Sequence, residues 1–85
     1  MKSRRSKNFR KLYAELPAEV QKQAVKSYAL WKADPWHPSL DFKARRSSPD
    51  WSVRIGLNAR AMAAKRPDGS YLWYWIGTHE DYNKF

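Results

Sequence analysis

The sequence contains no cysteine, which rules out disulfides and thiolate zinc sites as supplements to a hydrophobic core. Long apolar runs are missing too: the longest stretch of apolar and aromatic residues, 71–76, is far short of the roughly 20 residues needed to cross a bilayer. Acids are scarce, 8 against 17 Lys and Arg in 85 residues, which gives a formal net charge of +9 and a pI near 10.1. None precedes Glu15, whereas Lys2, Arg4, Arg5, Lys7, Arg10 and Lys11 crowd the N-terminal segment. No apolar stretch follows those cations, so a soluble, cytoplasmic protein without a secretory signal is expected. There is no internal repeat and no low-complexity tract, and residues 1–85 read as one small domain. So positive a field on so small a surface implies a polyanion or an acidic protein as partner.

What the chain does have is aromatic side chains: five Trp, five Tyr and three Phe. Each brings about 150–250 Å² of buriable surface, and at this length they must supply most of the core. Ser6 is placed to cap a helix in which Phe9, Leu12, Tyr13 and Leu16 recur at three- and four-residue spacing. Leu16-Pro17 ends that helix, and Pro17 suits the first position of a second one, with Val20, Ala24, Tyr28 and Trp31 along one side. A helical hairpin over about 6–33 is therefore predicted. An irregular, proline-rich connection at 34–49 follows, with a short strand around Leu40 to Ala44. Then come a β-sheet over about 50–77 and a C-terminal tail at 78–85. The fold class is α+β, the two helices packed on a twisted antiparallel sheet of three to four strands.

Within the sheet, Trp51, Val53 and Ile55 alternate with Ser52, Arg54 and Gly56, the period of a strand with one buried and one wet side. Gly56-Leu57-Asn58 interrupts the alternation. A three-residue loop with Asn58 in the left-handed conformation pairs Ile55 with Ala59 and sets Arg54 opposite Arg60; a two-residue loop at Leu57-Asn58 would put the arginines on opposite faces. The first is favoured. Opposed like charges are destabilising, so this pair asks for an anion, and a phosphate suits. Arg66-Pro67-Asp68-Gly69-Ser70 reads as the next turn and leads to a last strand, Tyr71 to Ile76. In that register Ala61 lies level with Trp75 and Ala63 with Trp73 on the core side. The other side carries Arg54, Arg60, Met62 and Tyr74, with Leu72 and Ile76 toward its ends. Two arginines and an aromatic ring on an open sheet face suit a phosphodiester and a stacked base, although Tyr74 and Met62 also suit a plain cover for that side. Lys43, Arg45 and Arg46 form a second basic cluster. His79 lies just past Gly77, at the rim of the sheet, and an imidazole titrates near neutrality. Asp34, His37 and Asp41 flank prolines in the irregular segment and read as structural or surface residues rather than metal ligands.

Phe9-Arg10-Lys11-Leu12, Leu16-Pro17, Trp51-Ser52-Val53-Arg54-Ile55, Asn58-Ala59-Arg60 and Trp75-Ile76-Gly77-Thr78-His79-Glu80-Asp81-Tyr82, taken in order, resemble the toxins of the RelE/ParE superfamily of bacterial toxin–antitoxin systems. The resemblance covers nearly the whole chain. It implies an mRNA interferase that cleaves mRNA in the A site of the ribosomal 30S subunit, needs no metal or other cofactor, and is silenced by a cognate antitoxin. It places Arg54 and Arg60 as the basic pair, His79 as acid–base residue, Lys43 as a further basic residue, and either Tyr82 or Phe85 as the C-terminal aromatic that stacks on a base. The implied chemistry uses the RNA's own 2′-hydroxyl as nucleophile on the adjacent phosphate. Arg54 and Arg60 would neutralise charge growing on the phosphate oxygens, and His79 would act as general acid or base.

Two positions depart from the family pattern: Ala59 stands where many relatives have an aromatic, and Ser52 where some ribonuclease members have a lysine. The ParE branch, which poisons DNA gyrase, and a non-catalytic basic module that binds nucleic acid or ribosomes are the alternative readings.

Overall fold

The computed structural model describes residues 2–45 and 49–84. Three helices lie on a mixed sheet of five strands in the order β1-β5-β4-β3-β2. The strands are β1 (Ser3–Arg5), β2 (Lys43–Ala44), β3 (Trp51–Ile55), β4 (Ala59–Lys65) and β5 (Tyr71–Thr78), and the helices are α1 (Lys7–Ala14), α2 (Ala18–Ala33) and α3 (His79–Tyr82). The α+β class and the helical hairpin are as predicted, and the strand count is higher. β1, which the sequence offered only as a run of cations, pairs in parallel with β5 (Ser3 beside Tyr71, Arg5 beside Trp73). β2 is a two-residue edge paired with β3. Neither is long enough to show a period in sequence.

Ser6 caps α1 by accepting from the Phe9 amide at 3.0 Å. Pro17, one residue earlier than expected, precedes α2 instead of opening it. Both helices pack on one face of the sheet, α1 against β5 and α2 against β3. The core between them centres on Trp31, which is 1% exposed. Its ring meets Phe42, Tyr71 and Trp73 edge-on at 5.7, 5.5 and 5.2 Å and lies parallel to Tyr28 at 6.2 Å. Facing these large rings, β4 contributes Ala59, Ala61 and Ala63, all buried, so small side chains on the middle strand leave room for the indoles, as volume complementarity requires.

The register of β3 and β4 is the one favoured from sequence: Ile55 pairs with Ala59, and Arg54 with Arg60. The turn achieves it differently. Gly56, at φ 59°, takes the left-handed position, not Asn58. Glycine reaches that region without the steric cost of a Cβ.

Between β4 and β5 the sequence reading needs a larger correction. Ala63 is level with Trp73 as expected, but Met62 pairs with Trp75 and Ala61 with Ile76, because a β-bulge interrupts the register at Met62/Ala63 and leaves Tyr74 as the extra residue. A bulge advances one strand by a residue, so every later side chain changes face. Ile76, expected on the open side, is therefore in the core at 1% exposure. Trp75, expected in the core, lies on the open side, with its ring 6.5 Å from that of Tyr82. Gly77 follows from this placement, since a Cβ built there would come within 2.6 Å of the Trp75 ring.

Candidate functional site

The sheet face away from α1 and α2 carries Ser52, Arg54, Arg60, Met62, Tyr74 and Trp75, and α3 lies over one end of it. Thr78 caps α3 by accepting from the Asp81 amide at 3.0 Å, and the His79 amide donates to Asn58 O at 2.7 Å, which ties this short helix to the β3–β4 turn. His79 and Tyr82 are three apart and share one side of the helical turn; their rings are 6.1 Å apart and within 25° of parallel.

Arg60 was expected on an open surface and is instead 2% exposed. Its side chain leans across β3 toward the segment before β2. Nη2 donates to Ser52 Oγ at 2.9 Å and to Asp41 O at 3.2 Å, and Nη1 donates to Asp41 Oδ2 at 3.3 Å. The segment that brings Asp41 there is built by alternation: Leu40 and Phe42 plug into the core while Asp41 points the other way. Asp41 adopts φ 45°, a left-handed conformation that Asp tolerates better than most residues, and it turns both the carbonyl and the carboxylate onto Arg60. The anion that the opposed arginines ask for is thus supplied by the chain itself. Lys43 Nζ shares the same carboxylate oxygen at 3.2 Å.

Tyr82 covers Arg60. The Arg60 guanidinium carbon is 5.0 Å from the centre of the Tyr82 ring and that of Arg45 is 5.2 Å away, both within cation–π range. The Tyr82 hydroxyl donates to Ser52 Oγ at 3.1 Å. Burial opposes ionisation of this phenol, but the Ser52 hydrogen bond and the charges of Arg60 and Arg45 outweigh it and hold its pKa below the ordinary tyrosine value. Tyr74 is pushed the opposite way, well above that value, by burial and by its hydrogen bond to the Asp50 carboxylate. Two phenols on one face are therefore divided into one that ionises more readily and one that holds its proton.

The structure thus gathers Lys43, Arg45, Arg60, Tyr74, Tyr82 and His79 on one side of the sheet. Arg54 is exposed there, opposite Arg60 in the strand register. Arg45 also donates to Met62 Sδ at 3.3 Å. Tyr74 was expected as an open stacking ring; instead its hydroxyl is committed to Asp50 and its ring sits at the bulge, half-buried. Arg46 and Phe85 lie outside the described residues. The sequence reading took Asp41 as a structural or surface residue without a link to Arg60, gave Ser52 a place on the wet side of its strand and a lost lysine but no partner, and did not single out Asp50. The apolar–acid–apolar order Leu40-Asp41-Phe42 was the available signal for the first of these.

Asp41 gives a direct test of this arrangement. Burial opposes its ionisation, but hydrogen bonding and charge from Lys43, then from Arg60, lower its pKa below the ordinary aspartate value. The folded state therefore binds this proton less readily than the unfolded chain. Its stabilisation is complete above about pH 4, the unfolded value, and is lost as pH falls through the lowered one. Asp41→Asn leaves a buried guanidinium without its counter-charge and is expected to cost about 2 kcal/mol at pH 7. Urea denaturation should show that gap closing below pH 4.

No family model matches the chain, and no curated protein does. Solved structures do match. A chain of the RelB–RelE antitoxin–toxin complex from Methanococcus jannaschii superposes with a TM-score of 0.71 at 17% identity, over 95% of this chain and 96% of that one. The fold is that of the RelE toxins. A chain of the RelBE2 toxin–antitoxin complex from Mycobacterium tuberculosis gives a TM-score of 0.64 at 16% identity, over 92% of this chain and 96% of that one. A copper-bound mutant toxin from Helicobacter pylori gives 0.62 at 17% identity, over 95% and 97%. Among the described residues no helix is long and apolar enough to cross a membrane. In this RelE-like fold the Arg60–Tyr82 unit lies at the end of the sheet where α3 begins.

Proposed function

We propose that the chain is the toxin of a toxin–antitoxin pair and that it cleaves mRNA in the 30S A site by attack of the RNA's 2′-hydroxyl on the adjacent phosphate. The observation that carries this reading is the Tyr82 phenol, hydrogen-bonded to Ser52, set against Arg45 and Arg60, and stacked beside His79. Tyr82, in its ionised form, takes the proton from the 2′-hydroxyl as that oxygen bonds to phosphorus. The bond from phosphorus to the 5′-oxygen breaks, leaving a 2′,3′-cyclic phosphate on one fragment, and His79 protonates the departing oxygen. Exposed Arg54, with Arg45 and Lys43, neutralises the phosphate oxygens as charge builds on them. Arg60 is a positioning residue in this scheme: it is spent on Asp41 and Ser52, and it acts on the reaction through Tyr82. Tyr74 supports the β3 side of the site through Asp50, and Arg46 and Phe85, outside the described residues, remain candidates for contact with the RNA.

Two of the structural neighbours come from complexes of a toxin with its antitoxin, which supports a cognate antitoxin as the protein partner. With a net charge of +9, that partner is expected to be acidic. The reading is tested with purified ribosomes carrying a defined mRNA. Cleavage leaving 2′,3′-cyclic phosphate ends, abolished in His79→Ala, is the expected result. Gyrase-dependent DNA breaks would support the ParE-like activity instead, and salt-sensitive RNA binding without cleavage would support a binding module.

A further inference from the structure

The opposite end of the sheet carries cations and rings that the cleavage scheme does not use. Trp36, just past α2, is 60% exposed, yet its ring is held in place, 5.3 Å from Phe42 and 6.0 Å from Trp51. Lys65 Nζ lies 5.9 Å from the Trp51 ring and 5.9 Å from that of Tyr71. Tyr71 in turn forms one wall of a hollow of about 620 Å³ at the β1 edge, which Lys2, Arg4, Lys32 and Arg66 also line. Those four cations face a single carboxylate, Asp68, which already accepts from the Ser70 amide at 2.9 Å and from its hydroxyl at 2.6 Å. The floor is polar, with Ser3 Oγ and the Tyr28 hydroxyl 2.5 Å apart, and Lys32 Nζ rests 5.4 Å from the Tyr28 ring. The other large exposed hydrophobics among the described residues, Val25 in the middle of α2 and Leu57 in the β3–β4 turn, lie on different elements, so Trp36 is not part of a continuous apolar core of the kind a protein interface presents.

We propose that this end of the fold is a second nucleic-acid track: an unpaired strand lays its phosphates in the hollow at Lys2, Arg4, Lys32 and Arg66 and stacks a base on Trp36. A positively charged groove beside an aromatic platform is the arrangement that holds single strands without reading their sequence. The track is separate from the Tyr82 site. Lys65 is five residues beyond Arg60 on β4, about 16 Å at the rise of a strand, and an odd number of steps puts it on the opposite face. The inference does not depend on cleavage.

The test is fluorescence anisotropy with a labelled 12-nucleotide oligouridine and the matching oligothymidine, titrated at several salt concentrations. Each phosphate contact to a single strand contributes about 0.7 to the log–log salt slope, so the double variant Lys32→Gln/Arg66→Gln is expected to bind more weakly with a slope lower by about 1.4. Trp36→Ala removes only a stacking surface and is expected to weaken binding about tenfold with the slope unchanged. Equal losses with RNA and DNA would mean that backbone and base face are read; a loss confined to RNA would add the ribose, and both support the track. Parental affinity in both variants, with circular dichroism showing them folded, overturns it. So does a Trp36→Ala variant that binds both oligonucleotides normally but loses affinity for polyglutamate, which would make the surface one for acidic protein. Neither variant touches Tyr82 or Arg60, so the track and the cleavage scheme fail separately.

Discussion

Trp31→Ala is expected to remove a large share of the protein's stability at 25 °C. Replacing a buried Trp with Ala typically costs about 3–5 kcal/mol. At about 0.05–0.15 kcal/mol per residue, the whole stability of an 85-residue chain is of the order of 4–13 kcal/mol. Trp31 belongs at the upper end of that cost. It is 1% exposed and touches four other rings from α2, β5 and the segment before β2, so its removal opens a void that no single element can close. Trp31→Phe keeps a ring and also removes an indole N–H that has no partner among the described residues, and it should cost less than half as much. Urea denaturation followed by circular dichroism measures both; equal losses in the two variants would mean that the indole volume is not what holds the layers together.

Tyr82→Phe is expected to lower ribosome-dependent cleavage by about 10²- to 10⁴-fold, the usual contribution of a positioned acid–base group. The phenyl ring keeps its place against Arg45 and Arg60. Only the hydroxyl and its bond to Ser52 are lost, at about 1 kcal/mol of stability. Single-turnover rates should therefore collapse while affinity for the programmed ribosome holds. Arg60→Lys should be nearly as damaging despite conserving charge, because an ammonium cannot reproduce the planar fork that bonds Asp41 and Ser52 together. Its effect should appear as a lower rate, whereas Arg60→Gln, which removes the charge as well, should add an alkaline shift of the pH–rate profile that a merely structural loss would not produce.

The parts of this fold that were legible in the sequence are those with a long period. The stripes of α1 and α2, the alternation of β3 and its register with β4 all rest on a pattern sustained over five or more consecutive positions. What failed was short or rested on a break in pattern. The bulge at Tyr74 leaves no mark in Tyr71-Leu72-Trp73-Tyr74-Trp75-Ile76, where every residue is apolar or aromatic and either face could be buried, so the expected sides of Trp75 and Ile76 were reversed. β1 is three residues long, and its pairing with β5 comes from the tertiary fold. At the site, the sequence brought Arg54, Arg60, His79 and Tyr82 into view, but not how buried Arg60 would be. That depends on Asp41, a residue 19 positions away whose partner only folding reveals.

One coupling is central: against the opposing effect of burial, the Ser52 hydrogen bond and the Arg60 and Arg45 guanidinium groups together make the Tyr82 phenol easier to ionise than an ordinary tyrosine. Spectrophotometric titration of tyrosine at 295 nm, run on the parent, Tyr82→Phe and Arg60→Gln, measures it directly. One phenol should titrate below the ordinary tyrosine range in the parent, be missing in Tyr82→Phe, and move back up in Arg60→Gln. A parent curve that Tyr82→Phe reproduces throughout its acid limb would contradict the account.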